Sequence, residues 1–330
     1  MINLPGTSID TSTKATPFVP LACLLGVVLL LSSVTLVIKY VFQHSGVHPI
    51  GLAWFRVMIG FLLLFAITLF WDRRGLLLLG TADVLQLGLV GFLGVFSYAI
   101  SAWGLMYSSV IHYALIYGLL PSCTATLSVL LGKDQMSLFK VVGIVLSLVG
   151  CGVAVCHGAS NLEANFQFGD VFVLLFTIMM SAHIVLSSGI VKRFGVMVSN
   201  TVMFGSSALL LFLGSLGWSE PLPEEVSPLI MASVVYIGCA TAAVFLLRYR
   251  SLQSLSPATV GTYHNLIPVC TVLLAYMYLG EPIATQTILG GALVVAGAEL
   301  VRRANQLQPS ANLHWAKLSL SGLMGSRPSR

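Results

Sequence analysis

Apolar residues run along this chain in blocks of about 20, separated by short polar breaks. Stretches such as Val27–Leu31 and Leu76–Leu79 are apolar at every position. A half-buried strand would instead alternate apolar and polar, and a transmembrane barrel would do so over segments of about 10 residues. About 20 apolar residues in a helix cross the hydrocarbon core of a bilayer. The pattern predicts ten such helices, over residues 20–41, 50–70, 84–104, 110–131, 139–157, 169–190, 198–218, 227–247, 257–279 and 285–301. The connections are mostly short and leave no room for a soluble domain between helices. The first block is too long for the apolar core of a signal peptide and is read as a retained first helix. Residues 1–19 and 303–330 are polar flanking segments.

Composition sharpens this to an all-α polytopic membrane protein. Of the 330 residues, 57% are hydrophobic and only 8% are charged, against about 25% charged in soluble domains. That excludes an ordinary soluble enzyme, a disordered chain and a nucleic-acid-binding domain. The net charge of +5 does not point to nucleic acid, because no basic run exceeds two residues. Charge does set orientation. With the N-terminus in the cytoplasm, every Lys and Arg except Lys39 and Arg56 falls on the cytoplasmic side, while Glu163, Glu220, Glu224, Glu225 and Glu281 fall outside. A multi-pass protein of the inner membrane with both termini cytoplasmic is expected. The six cysteines form no CxxC pair and read as small buried apolar residues. No cofactor or metal site is expected; His44 and His48, four apart, are a weak metal signal.

The chain also repeats itself. Shifted by 147 residues, Pro121, Cys123 and Thr124 fall on Pro268, Cys270 and Thr271, Asp134 on Glu281, Gly143 on Gly290, and Gly150 on Gly297. The unit holds five helices, an odd number, so the copy over 169–302 is inverted relative to that over 20–157. Inverted repeats are a mark of transporters, whose two halves exchange conformations around a central site.

The stretch Pro268–Ile283 followed by Gly290–Gly297, the weaker copy from Leu120 to Gly150, and Pro49–Arg56 resemble the EamA-type repeat of the drug/metabolite transporter superfamily, ten-helix branch. The resemblance covers about residues 20–302. It implies secondary-active transport by alternating access, with substrates ranging over amino acids, metabolites and drugs, and nucleotide sugars or cofactors among more distant relatives. Members often carry a Trp midway along helices 1 and 6. Here those regions read Leu31-Ser32-Ser33 and Ser181-Ala182-His183, so no substrate contact carries over at those places.

Candidate site residues come from polar groups inside the runs. Tyr113, Tyr117, Pro121, Thr124 and Ser128 follow one another at steps of three or four and share one face of helix 4. Helix 9 repeats the pattern with His264, Pro268 and Thr271, and Tyr263 and Asn265 flank His264. Such stripes line a cavity or hydrogen-bond neighbouring helices. Pro121 and Pro268 are candidate hinges, since each removes a backbone hydrogen bond. Arg56 sits about 10 Å below the outer edge, read either as snorkelling to headgroups or as forming an anion-attracting vestibule with Lys39. His183 and His264 fall in the cytoplasmic half at similar depth and are candidates for solute binding or proton exchange. Asp134 and Glu281 precede helices 5 and 10, where acids suit the positive helix ends. Gly143, Ser147 and Gly150 on helix 5, with Gly290 and Gly297 on helix 10, make small-residue faces that could pack on a second copy as a homodimer.

No Walker loop, HExxH or GxSxG occurs, so no enzyme is expected. The leading reading is export of a small polar or amphipathic metabolite, amino-acid-like or drug-like. Its partners are then that solute and the lipid bilayer, with no nucleic acid. A second reading is import or exchange of an anionic metabolite, nucleotide-derived compound or cofactor. That needs cations deep in the cavity, and the sequence offers only Arg56 and Lys39. A membrane-embedded enzyme or sensor would need a catalytic cluster or a signalling domain, and neither is visible.

Overall fold

The computed structural model describes residues 18–155, 167–215, 227–254 and 263–307. Both polar flanking segments, the start of the predicted ninth span and Cys156 lie outside these residues, apart from the few positions next to α1 and α10. The described residues form ten principal helices, labelled here α1 (Phe18–His44), α2 (Pro49–Trp71), α3 (Thr81–Tyr107), α4 (Val110–Leu130), α5 (Leu138–Val155), α6 (Phe168–Phe194), α7 (Val196–Ser215), α8 (Pro228–Ser254), α9 (Leu266–Leu279) and α10 (Thr285–Leu307). A five-residue helical turn, Arg73–Leu77, joins α2 to α3. Of these, α1 to α8 are long and apolar enough to cross a membrane. Several helices outrun the predicted spans, because a helix continues past the hydrocarbon edge wherever its next residues are good helix formers; α8 reaches Ser254 and α10 reaches Leu307.

The two prolines act differently from a simple kink. α4 is helical to Tyr117, breaks at Gly118 and Leu119, and restarts as Leu120–Leu130 with Pro121 in its first turn. A proline has no N–H to give, so it fits where a helix begins. Pro268 likewise lies in the first turn of Leu266–Leu274. That helix then widens to a π turn, Ala275–Leu279, and stops at Gly280 with φ of 65°.

Helix pairing follows the repeat. α5 packs on α10, α2 on α7 and α4 on α9. α3 lies on α6 as α1 lies on α8, α3 on α7 as α8 on α2, and α4 on α6 as α9 on α1. Exchanging α1–α5 with α6–α10 leaves these pairings unchanged, as two inverted five-helix halves require.

The small-residue faces meet each other inside the chain. A Cβ on Gly143 would lie 2.7 Å from the Gly297 carbonyl oxygen, and one on Gly150 would lie 2.6 Å from that of Gly290. Ser147 Oγ donates to the Val294 carbonyl at 3.4 Å. These faces therefore serve close packing of α5 on α10, and the feature that suggested a homodimer is spent within the monomer.

The outside of the bundle is apolar. Leu29, Leu62, Val145, Leu209 and Leu289 are exposed, while Ser32, Ser97, Lys140, Thr177 and Ser181 are buried. That inverts the arrangement of a water-soluble domain and fits a lipid belt. Among the described cysteines Cys151 is buried, as expected, but Cys23, Cys123 and Cys270 are half-buried and Cys239 is exposed. His48 caps α2, its Nδ1 accepting from the Ile50 N–H at 3.3 Å. Burial lowers the His48 pKa from its ordinary value, which favours the neutral ring this bond needs. His44 Nδ1 instead bonds the Tyr40 carbonyl. Among the described residues no group of three His, Cys, Asp or Glu could hold a metal.

Candidate functional site

A cavity of ≈280 Å³ lies between the halves, lined from α1–α4 and α6–α9 together with His264 just before α9. Among the described residues, α5 and α10 contribute nothing to its wall. Arg56, Tyr113, Tyr117, His183 and His264, which sequence alone scatters over four helices, all line it.

One wall is aromatic. Tyr113 and Tyr117, one turn apart, stack with ring centroids 6.1 Å apart, and Phe176 of α6 stacks on both at 6.0 and 5.4 Å. The Tyr113 hydroxyl pairs with Ser101 Oγ at 2.9 Å. The break in α4 divides the polar stripe. Its upper part faces the cavity, whereas Thr124 Oγ1 turns back to the Leu120 carbonyl at 2.7 Å.

Arg56 is buried. Its Nε donates to Thr241 Oγ1 at 3.0 Å, and its guanidinium sits 4.2 Å over the Tyr98 ring centroid. It neither snorkels nor shares a vestibule with Lys39. Lys39 Nζ donates to the carbonyls of Leu105 (2.9 Å) and Ser108 (2.6 Å), tying α1 to the end of α3 away from the cavity.

His183 Nδ1 lies 2.9 Å from the Val90 carbonyl. A carbonyl can only accept, so Nδ1 carries the proton and a neutral ring leaves its Nε2 lone pair free. Gly94 makes room for the ring: a Cβ there would lie 2.5 Å from His183 Cγ. His264 Nε2 lies 3.4 Å from a terminal nitrogen of Arg248. A guanidinium only donates, so here Nε2 accepts. Asn265 is not on this wall; it borders a separate space of ≈20 Å³ with Pro121 and Pro268, and Tyr263 lines neither.

Arg248 is the cavity-lining charge that sequence reasoning misses. The predicted eighth span ends at 247 and leaves it as a charge just beyond, but α8 runs on and Arg248 lines the cavity. A signal is present: Thr241, Phe245 and Arg248 follow at steps of four and three on one face, and all three are lining residues. Phe176, Tyr98 and Asn200 are missed as well, each indistinguishable in sequence from an ordinary packing residue.

A buried polar cluster lies at the end of the bundle nearest Arg56. Asp170, in the first turn of α6, accepts from Ser108 Oγ, from His112 Nδ1 at 3.0 Å and from the Gln167 N–H at 2.9 Å. Gln167 Oε1 accepts from the Ser109 N–H. Glu281 accepts from the N–H groups of Val110 (2.9 Å) and Ile111 (3.0 Å). Glu281 thus caps α4 of the other half, rather than its own α10. Asp134 pairs with Lys140 Nζ at 2.7 Å and accepts from the Gln135 N–H.

Pro121→Ala should let α4 run unbroken through Gly118, since alanine at this position has an N–H to donate to the Tyr117 carbonyl. The expected outcome is slowed transport with near-normal folded yield, read by initial rates against size-exclusion profiles. Unchanged rates would show the break to be incidental.

The model of the EamA-like transporter family matches residues 19–156 and, again, 167–303. An uncharacterised transporter of Bacillus subtilis, YyaM, is 25% identical over 213 residues, 63% of this chain and 70% of that protein. An uncharacterised transporter of Archaeoglobus fulgidus is 25% identical over 261 residues, 76% of this chain and 87% of its own. A "probable terminal-alkyne amino-acid exporter" of Streptantibioticus cattleyicolor is 23% identical over 230 residues, 67% of this chain and 74% of its own. A solved crystal structure with 17% identity superposes with a TM-score of 0.62 over 88% of this chain and 99% of its own, a likeness of fold. With both five-helix halves matched in turn, the chain belongs to the EamA-like transporter family.

Proposed function

We propose that this membrane transporter exports a small amphipathic solute by alternating access, without ATP hydrolysis, binding it between its two halves. The observation that carries this reading is the position of the cavity. It is walled by both inverted halves and runs from Arg56 to Arg248, and we read the hydrogen-bonded Asp170 cluster beyond Arg56 as the closure of that end. With the cytoplasmic termini that the charge pattern predicts, the closed end faces outward and the cavity loads from the cytoplasm. Rocking of one half against the other would then open the Asp170 end and release the solute. The aromatic ladder and the hydroxyls beside it suit a solute with an apolar body and a polar group. The similarity to a protein named as an amino-acid exporter agrees with that class.

Two measurements test it. Single cysteines introduced as Glu224→Cys and Arg193→Cys, in a background without other reactive thiols, should label only from outside and only from inside, respectively. Reversed labelling would remove the outward assignment of the closed end. Metabolite profiles of cells and medium, with and without the gene, should show a small amphipathic compound depleted from the medium and retained in cells lacking it. Identical profiles under every growth condition tried would sink the export reading.

A further inference from the structure

We infer that the cavity selects an organic anion: a carboxylate seated on Arg248, with an apolar or aromatic body lying along Tyr117 and Phe176. This rests on the carrier reading above and adds the charge and orientation of the cargo.

The argument begins with unbalanced charge. Two guanidiniums, Arg56 and Arg248, line the cavity, and among the described residues no Asp or Glu joins them in its wall. The connecting segment 255–262 contains no acid either. Elsewhere among the described residues, cations taken out of water are held by an acid or by backbone carbonyls. Lys140 pairs with Asp134, Arg302 pairs with Glu299, and Lys39 is held by two carbonyls. Removing a cation from water without a counter-charge is unfavourable. A cavity that holds two guanidiniums and, among the described residues, no acid leaves room for a negative charge brought by the solute.

The two arginines are not equivalent. Arg56 is committed, by Nε to Thr241 and by its face to Tyr98. It contributes field, and little free donor capacity. Among the described residues, Arg248 has a buried Nε with no hydrogen-bond partner and only a long contact, 3.4 Å, from a terminal nitrogen to His264. A guanidinium so lightly engaged presents a planar fork of donors, the shape that matches a carboxylate with two parallel bonds. His264, by accepting from Arg248, holds that fork in place without cancelling its charge. Tyr117 lines the same cavity as both guanidiniums and, with Phe176, supplies a flat surface there. A cationic solute would meet two like charges in a site shielded from water, and would be rejected.

The test uses the full chain in lipid nanodiscs and three probes with one body: 3-phenylpropionate, 3-phenylpropionamide and 3-phenylpropylamine. Titration calorimetry should find saturable binding of the carboxylate at least about tenfold tighter than the amide, the factor a charge-assisted hydrogen bond carries, with the amine weakest. Arg248→Gln should lose at least about tenfold in carboxylate affinity, and Arg248→Lys, which keeps the charge but not the fork, should fall between. No saturable binding of the carboxylate overturns the inference. So does an amide or amine that binds as tightly, or an Arg248→Gln variant with unchanged affinity. The comparison of probes on the unaltered protein needs no variant to fold. Flux into proteoliposomes separates this inference from the one beneath it. Carboxylate bound with the stated preference but never moved would sustain the anion site and sink the carrier. Movement of the amine without carboxylate binding would sustain the carrier and sink the anion site.

Discussion

Asp170→Ala is expected to unlock the closed end of the bundle. Its carboxylate is buried and takes hydrogen bonds from three groups: Ser108, His112 and Gln167. Alanine would take this shared acceptor away from all three donors. A buried donor that loses its acceptor costs about 1–3 kcal/mol, so the loss of all three bonds costs several kcal/mol. That cost falls on the closed arrangement, since an opened end would let water reach the same donors. A shift of that size moves a two-state equilibrium by a factor of about 100 or more. A cysteine introduced as Ser109→Cys should label from the Asp170 side much faster in the Asp170→Ala background, and net transport should fall because the closed state is scarcely populated. Asp170→Asn should be milder, since its amide oxygen still accepts. Equal labelling rates in all three backgrounds would mean that the cluster does not hold the end shut.

Gly150→Leu should have its effect elsewhere, on folding rather than on the conformational balance. The residue sits at a close approach of α5 and α10, with room for hydrogen only. Even a Cβ would come 2.6 Å from the Gly290 carbonyl oxygen and the Leu293 Cβ. Overpacking costs about 1–3 kcal/mol where side chains can yield; here part of the obstacle is backbone, which moves only if the helices separate. The neighbour Gly152 is the control. Nothing lies within 4 Å of the place its Cβ would occupy, so Gly152→Leu faces open surface on the same helix. The yield of monodisperse protein and its melting temperature should drop sharply for Gly150→Leu and hardly at all for Gly152→Leu. Folded Gly150→Leu molecules should still bind solute, because α5 and α10 stand apart from the cavity wall. Matching behaviour of the two variants would contradict the packing of α5 on α10.

Much of the architecture is local information and can be read directly. A run of about 20 apolar residues crosses a bilayer whatever its neighbours do. Ten runs, the repeat at 147 residues and the paired glycines are all legible for that reason. Tyr113 and Tyr117 share a helical face by spacing alone. Contacts between distant segments carry no such local mark. Glu281 precedes α10, and the sequence places it as that helix's acid; the fold delivers it to the start of α4, 171 residues away. The glycine faces look equally suited to a second copy, and only packing shows that they consume each other.

The site itself divides the same way. The repeat dictates a scaffold with matching halves, but its chemistry is one-sided. At the same offset, Tyr117 is answered by His264 and Ser101 by Arg248. Which of these face the cavity is decided by tertiary structure. The physical reason lies in the solvent. In water, an apolar stripe marks the buried face of a helix. In lipid, apolar residues cover both the face that meets the core and the face that meets the acyl chains, so periodicity tells which side chains lie together but not what they look toward. In sequence, Arg248 is a charge anchoring the end of a span, the commonest use of arginine at such a place. The helices of both halves, packed around it, turn it into a cavity cation with no acid beside it among the described residues.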